Sequence, residues 1–179
     1  RESRLGATLW ESWSPFGNVR FTDEWDAFYS FTVHNGELYA CGSICYDYLG
    51  NTADVARWDN ANKRWATVGS PLCCGGAGVN TMAWFSDYLV VGGAYIWDGD
   101  YLSQWNGFSW SNVGGRLDDQ VWTMTTYNDR LIVGGYFRHA AGTSVNYTSE
   151  WNGETWASLG SGTDGYVIAL ITFEDKLIA

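Results

Sequence analysis

Hydrophobic and polar positions alternate in four short segments that share one layout. Phe28 to Leu38 reads FYSFTVHNGEL, Val79 to Leu89 VNTMAWFSDYL, Val121 to Leu131 VWTMTTYNDRL and Val167 to Leu177 VIALITFEDKL. Each opens on an apolar residue, alternates, passes through a polar turn (HNG, SD, ND or ED) and reaches a leucine ten positions after its opener. Alternation with period two predicts a strand, and the polar turn predicts a hairpin to the next one. A short apolar run and a glycine pair follow the leucine, LVVGG at 89–93 and LIVGG at 131–135. The first copy reads LYACGS, with Cys41 in the place of the first glycine, and the last reads LIA up to Ala179. A run that is apolar on both faces predicts a strand covered on both sides. The glycines predict a bend or a close approach of another backbone.

A second block follows the first in three of the four copies: WDNANKRWATVG (58–69), WNGFSWSNVG (105–114) and WNGETWASLG (151–160). A degenerate copy, WESWSPFG, stands alone at 10–17. Two of these blocks contain Asn-Gly, the strongest short hairpin signal. With Asn106-Gly107 as a two-residue turn, Trp105 faces Phe108 and Ser103 faces Trp110, so Trp105 and Trp110 form a diagonal pair on one face. Trp151 and Trp156 follow the same count. These tryptophans are expected to wedge between neighbouring sheets rather than to stack a ligand. Units of four antiparallel strands, repeated about every 45 residues, predict an all-β fold, a β-propeller, with a strand solenoid as the lesser alternative. Blades are expected at about 28–69, 79–114 and 121–160, with a split fourth blade made by 167–179 and 6–17.

The run LIVGGYFRHAAGTSVNYTSEWNGETWASLGSGTDGYVIAL at 131–170 resembles the repeat of the Rax2-like cell-polarity marker family. It is also similar to the kelch-like repeats of galactose-oxidase-type central domains. The resemblance extends over most of 28–179, best in the third unit and least in the first. It implies an extracellular propeller and supplies no catalytic residues to carry over, because a fold of this kind does not fix a function. Three closures stay open: a four-bladed ring completed by the two ends, a piece of a larger ring, and strand complementation between copies of the chain.

Composition narrows the function classes. Hydrophobic residues make up 46% and charged residues 17% of 179 residues, which argues for a packed core and against disorder. Aromatic content is 17%, with 12 Trp, 11 Tyr and 8 Phe beside 22 Gly, and favours turned sheet over helix. Eight of the tryptophans fall at the paired repeat positions, leaving Trp25, Trp84, Trp97 and Trp122 outside them. The net charge of −10 opposes binding to nucleic acid and to anionic membranes. No apolar run reaches the 18 residues that would predict a spanning helix.

In a propeller the connections between strands 2 and 3 emerge on the same face as those between strand 4 and the next blade. Cys41, Cys45, Cys73 and Cys74 are expected to converge there, with Cys73 and Cys74 bonding across to Cys41 and Cys45, since adjacent cysteines pair only under strain. Two disulfides suit an oxidising, extracellular location. Asn146-Tyr147-Thr148 is an N-glycosylation sequon in the same region. The variable connections 43–54, 94–101 and 136–147 offer Tyr46, Tyr48, Trp97, Tyr101 and His139 as a stacking surface for sugars or a partner. Asp98, Asp100, Asp118 and Asp119 are candidates for a cation. Against this, aspartates serve as turn residues and aromatics pack locally.

There is no hydrolase elbow, HExxH or phosphate loop. A copper oxidase site needs several His and Tyr ligands together, and the two histidines, His34 and His139, fall on opposite faces. No catalytic residue, metal site or cofactor is expected. The reading is a non-catalytic extracellular or cell-surface scaffold with protein or glycan partners, for which a filament or matrix component and self-association by strand complementation are open options. A lectin-like propeller and a fragment of a copper oxidase are the alternatives.

Overall fold

The computed structural model describes residues 27–44, 53–72, 78–96 and 100–179. Among them there is no helix, and every strand pairing is antiparallel. Strands β1 (Ala27–His34), β2 (Glu37–Ile44), β3 (Ala53–Asp59) and β4 (Arg64–Thr67) form the first sheet in chain order. Strands β5 (Val79–Phe85), β6 (Tyr88–Ile96), β7 (Asp100–Trp105) and β8 (Trp110–Ser111) form the second. The third sheet starts with β9 (Val121–Tyr127) and β10 (Arg130–Gly135). A small hairpin, β11 (His139–Ala140) with β12 (Thr143–Ser144), then stands apart, and β13 (Thr148–Trp151) and β14 (Trp156–Ser158) complete that sheet. Among the described residues the last two strands, β15 (Ile171–Phe173) and β16 (Lys176–Ile178), pair only with each other and are shorter than the alternation at 167–177 predicts. Residues 6–17, expected as the rest of a split blade, lie outside the described residues.

Adjacent sheets share their cores. Tyr39, Cys41 and Val55 of the first sheet pack with Val79, Met82, Leu89, Val91 and Trp110 of the second. Val90, Leu102 and Val113 of the second pack with Val121, Met124, Leu131, Val133, Trp151 and Trp156 at the third. The apolar runs of β6 and β10 are therefore buried on both faces, as their lack of alternation requires. The opposite face of the first sheet carries a smaller cluster of Phe28, Leu38, Ala40, Ala56, Trp58 and Trp65.

The glycine pair has a steric cause. Each first strand slips register by one residue near its start, at Phe28/Ser30, at Val79/Thr81 and opposite Gly134/Gly135. The bulge pushes a backbone carbonyl towards the facing strand. A Cβ on Gly42, Gly93 or Gly135 would overlap the carbonyl oxygen of Ala27, Gly78 or Gln120 respectively. The first glycine of the pair is crowded by the following unit instead: Gly92 lies against Val121 and Met124, and Gly134 against Val167.

The paired tryptophans meet differently from the two-residue-turn count. Trp105 stands directly opposite Trp110, Trp151 opposite Trp156 and Trp58 opposite Trp65. The Asn106 side chain accepts hydrogen bonds from the Phe108 and Ser109 amides at 2.9 Å each. Asn152 does the same for Glu154 and Thr155 at 2.8 Å. This side-chain turn spans four residues, so Phe108 sits at the exposed tip rather than opposite Trp105. Ring centroids within the pairs lie 5.1–5.4 Å apart, in the range of favourable aromatic contact.

The pairs of the second and third sheets each sit on the closing glycine of the preceding sheet. Gly69 lies beneath Trp105 and Trp110, and Gly114 beneath Trp151. The Trp156 indole also donates to the Val113 carbonyl at 3.3 Å. Gly114→Ala is expected to cost about 3 kcal/mol, because a side chain at φ +59° is strained and also displaces Trp151. Gly107→Ala, at φ +96° with open space around it, is expected to cost only about 1 kcal/mol. Urea denaturation midpoints of the two variants test this order.

Candidate functional site

Two connections of the third unit lace together into a rigid platform. Residues 114–120, leading into β9, run beside residues 136–147, which link β10 to β13. Leu117 bridges Ala140 in antiparallel fashion, and the Ala141 amide donates to the Arg116 carbonyl at 2.8 Å. Phe137, Leu117, Ala140 and Val145 are fully buried beneath. Asp118 is the clasp. Its Oδ1 accepts from the Arg138 and His139 amides at 2.8 and 2.9 Å, and its Oδ2 lies 2.8 Å from His139 Nδ1. Burial opposes the charged form of Asp118, but the His139 amide and ring and the Arg138 amide outweigh it and hold the carboxyl below its ordinary range.

Four aromatic rings gather on this platform. Trp122 is the extra residue of the β9 bulge, which redirects its side chain. Its ring lies 6.4 Å from Tyr136 and 5.2 Å from Tyr166. Tyr136 is 5.9 Å from Tyr166 and 6.3 Å from Tyr147. The Trp122 indole donates to Gln120 Oε1 at 3.0 Å, and Arg138 Nε donates to the Tyr147 hydroxyl at 3.0 Å. Tyr136 and Tyr166 remain 50% and 57% exposed, so two ring surfaces face solvent on a fixed scaffold.

Of the residues expected from sequence to bind, His139 belongs to this platform. Tyr101 does not: it is part of β7 rather than of a loop, and it packs against the core between the second and third sheets. Tyr46, Tyr48, Trp97 and Asp98 lie outside the described residues. The aspartates act as turn and clasp residues. Asp119 caps the Gln120 amide at 2.8 Å, and the buried Asp100 accepts from the Tyr101 amide at 2.8 Å while burial pushes its carboxyl up. No cluster of three metal-ligating side chains occurs among the described residues.

Cys41 is a free, fully buried thiol, raised in pKa chiefly by that burial, and the disulfide expected for it is not formed. The physical reason is its orientation: it points between the sheets, beside Val55 and Val79, and not to the rim. Cys45, Cys73 and Cys74 lie outside the described residues. Asn146 is exposed, with its Nδ2 donating to the Ser161 carbonyl at 3.2 Å. His34 ends β1 and stacks on Trp84 at 3.8 Å.

The residues missed in the sequence are Trp122, Tyr136, Tyr147 and Tyr166. One signal pointed to them: Trp122 was left over once the paired tryptophans were assigned.

No family model matches the chain, and no curated protein matches it. Among solved structures it is similar to the extracellular domain of the one-component system BT4673 from B. thetaiotaomicron, with a TM-score of 0.54 and 12% identity. The match covers 82% of this chain, which spans only 19% of that one. At this identity the likeness concerns the fold alone. No helix among the described residues is long and apolar enough to cross a membrane.

Asp118→Ala is expected to cost about 1 kcal/mol, since the freed amides are rehydrated at this exposed position. Because folding lowers the Asp118 pKa, its contribution is complete above the ordinary aspartate range and is lost as pH falls through the lowered value. The Arg138 and His139 amide resonances should therefore shift in an acid step that Asp118→Asn abolishes.

Proposed function

We propose that this chain is part of a Rax2-like, kelch-like β-propeller outside the cell, acting as a non-catalytic scaffold that engages other molecules through its loop face. The observation that carries this reading is the ring cluster of Trp122, Tyr136, Tyr147 and Tyr166, held on a platform with the Asp118 clasp. Exposed aromatic rings fixed on rigid sheet are costly to leave in water and suited to recognition. The repeated four-stranded sheets and the likeness to an extracellular domain support it. As a matrix or filament component, such a scaffold would use its sheet edges for assembly and its loop face for partners.

A lectin-like role is the second reading. Tyr136 and Tyr166 present ring surfaces beside the hydrogen-bonding groups of Gln120 and Arg138, the combination a sugar ring requires.

Two experiments separate these readings. Membrane-impermeant biotinylation of intact cells is expected to label the native protein; labelling only after lysis would overturn the extracellular scaffold. A glycan array tests the lectin reading, with Tyr136→Ala and Tyr166→Ala expected to weaken binding about tenfold, equivalent to the loss of one aromatic contact. If no glycan binds at all, the lectin reading fails and the scaffold reading stands. Elemental analysis of native material addresses the copper-oxidase reading, which requires bound copper.

A further inference from the structure

Three side chains of the aromatic platform turn their acceptors towards one another and keep their donors. Gln120 Oε1 accepts the Trp122 indole N–H at 3.0 Å. An indole nitrogen only donates, so this contact fixes the orientation of the amide and leaves its Nε2 hydrogens over. The Tyr147 hydroxyl oxygen accepts from Arg138 Nε at 3.0 Å and from Arg138 Nη2 as well. With its oxygen so occupied, that hydroxyl still has its own proton to donate. The Arg138 guanidinium carbon also lies 5.1 Å from the centre of the Tyr147 ring. The cation is thus held from one side, and the donors on Nη1 remain.

The chain supplies Arg138 with no counter-charge. Among the described residues no carboxylate pairs with it, whereas Arg57 pairs with Glu37 and Arg130 with Glu150. This is so although the chain has 20 acidic side chains against 10 basic ones. The acids of the same connections are engaged by other groups. Asp118 accepts the Arg138 and His139 amides and faces the His139 ring, and Asp119 caps the Gln120 amide. Gln120, Tyr147 and Arg138 therefore present donors to solvent beside the exposed rings of Tyr136 and Tyr166. A neutral sugar hydroxyl both donates and accepts. A carboxylate only accepts, and its paired oxygens match the fork of a guanidinium.

We propose that this platform binds an acidic sugar, whose ring stacks on Tyr136 and Tyr166 and whose carboxylate is held by Arg138, with Tyr147 and Gln120 as further donors. The inference rests on the lectin-like reading above and adds the charge of the ligand to it. The rings supply the flat apolar surface for the C–H face of the sugar. The net charge of −10 opposes an anion at long range. Selection of the acid therefore comes from short-range donors rather than from steering, and Arg138 is the one of the three that carries charge.

The test uses the full chain and a glycan array of neutral oligosaccharides beside uronate counterparts that differ only by oxidation at C6, followed by calorimetric titration of the pairs that bind. The uronate form is expected to bind about tenfold more tightly than its neutral partner. Arg138→Gln should abolish that preference and leave the neutral form unchanged, while Arg138→Lys, which keeps the charge without the fork, retains part of it. Tyr136→Ala should weaken both forms alike. Lys63→Gln, an equal loss of charge in the exposed turn between β3 and β4, should alter neither. An unchanged urea midpoint for Arg138→Gln shows that the fold is intact; if that variant does not fold, Tyr147→Phe, which removes the hydroxyl that anchors Arg138, carries the same comparison. Equal binding of both forms, or a preference that survives Arg138→Gln, overturns the proposal and leaves the lectin-like reading standing. Binding of no glycan overturns both. Capture of a glutamate-rich peptide without any uronate also overturns it, and makes an acidic protein segment the partner.

Discussion

The structure depends on one contact made repeatedly: a cross-strand tryptophan pair of one sheet resting on a glycine of the sheet before it. A four-stranded sheet of this size cannot bury its own faces, so its stability comes from its neighbours. The tryptophans supply the area, and the glycine supplies the room. At Gly114 the two demands meet at one atom position, because the left-handed backbone and the Trp151 ring each exclude a side chain. The sheets are thus coupled through a joint that tolerates almost no change in volume.

The same economy of space shapes the loop face. The bulge near the start of each first strand drives a carbonyl against the second glycine of the pair, and it also frees one residue from the strand's alternation. In the third unit that residue is Trp122, which packs on Tyr136 and Tyr166 in the aromatic cluster. A feature that strand pairing requires for steric reasons therefore also places the candidate recognition surface. Asp118 holds the surrounding connections together by accepting two backbone amides and facing His139.

Much of the fold was legible because repetition exposes it. Leucines ten residues after each opener, glycine pairs and paired tryptophans fall at matching places, and each maps onto a strand or a joint. The turn between the tryptophans was misjudged because Asn-Gly permits a two-residue turn, while the Asn106 side chain captures two amides and widens it to four. Cys41 was assigned to the rim by its position at the end of an apolar run, but the alternation of β2 turns it inward beside Val79. Tyr101 looked like a loop residue, and the start of β7 at Asp100 places it in a strand against the core. The aromatic cluster was legible only through Trp122, left over once the paired tryptophans were assigned, since Tyr136, Tyr147 and Tyr166 share no motif with it.

The sequence by itself determined the unit: the alternating strands, the positions of the hairpins, the runs buried on both faces and the places of the glycine pairs. These follow from alternation, turn chemistry and steric limits that act within a few residues. The tertiary structure decided which rings meet, which carboxylates are engaged by amides and which thiol is buried. Those outcomes depend on register slips of one residue and on contacts between sheets some 45 residues apart along the chain, and local pattern does not encode where such distant side chains come to rest.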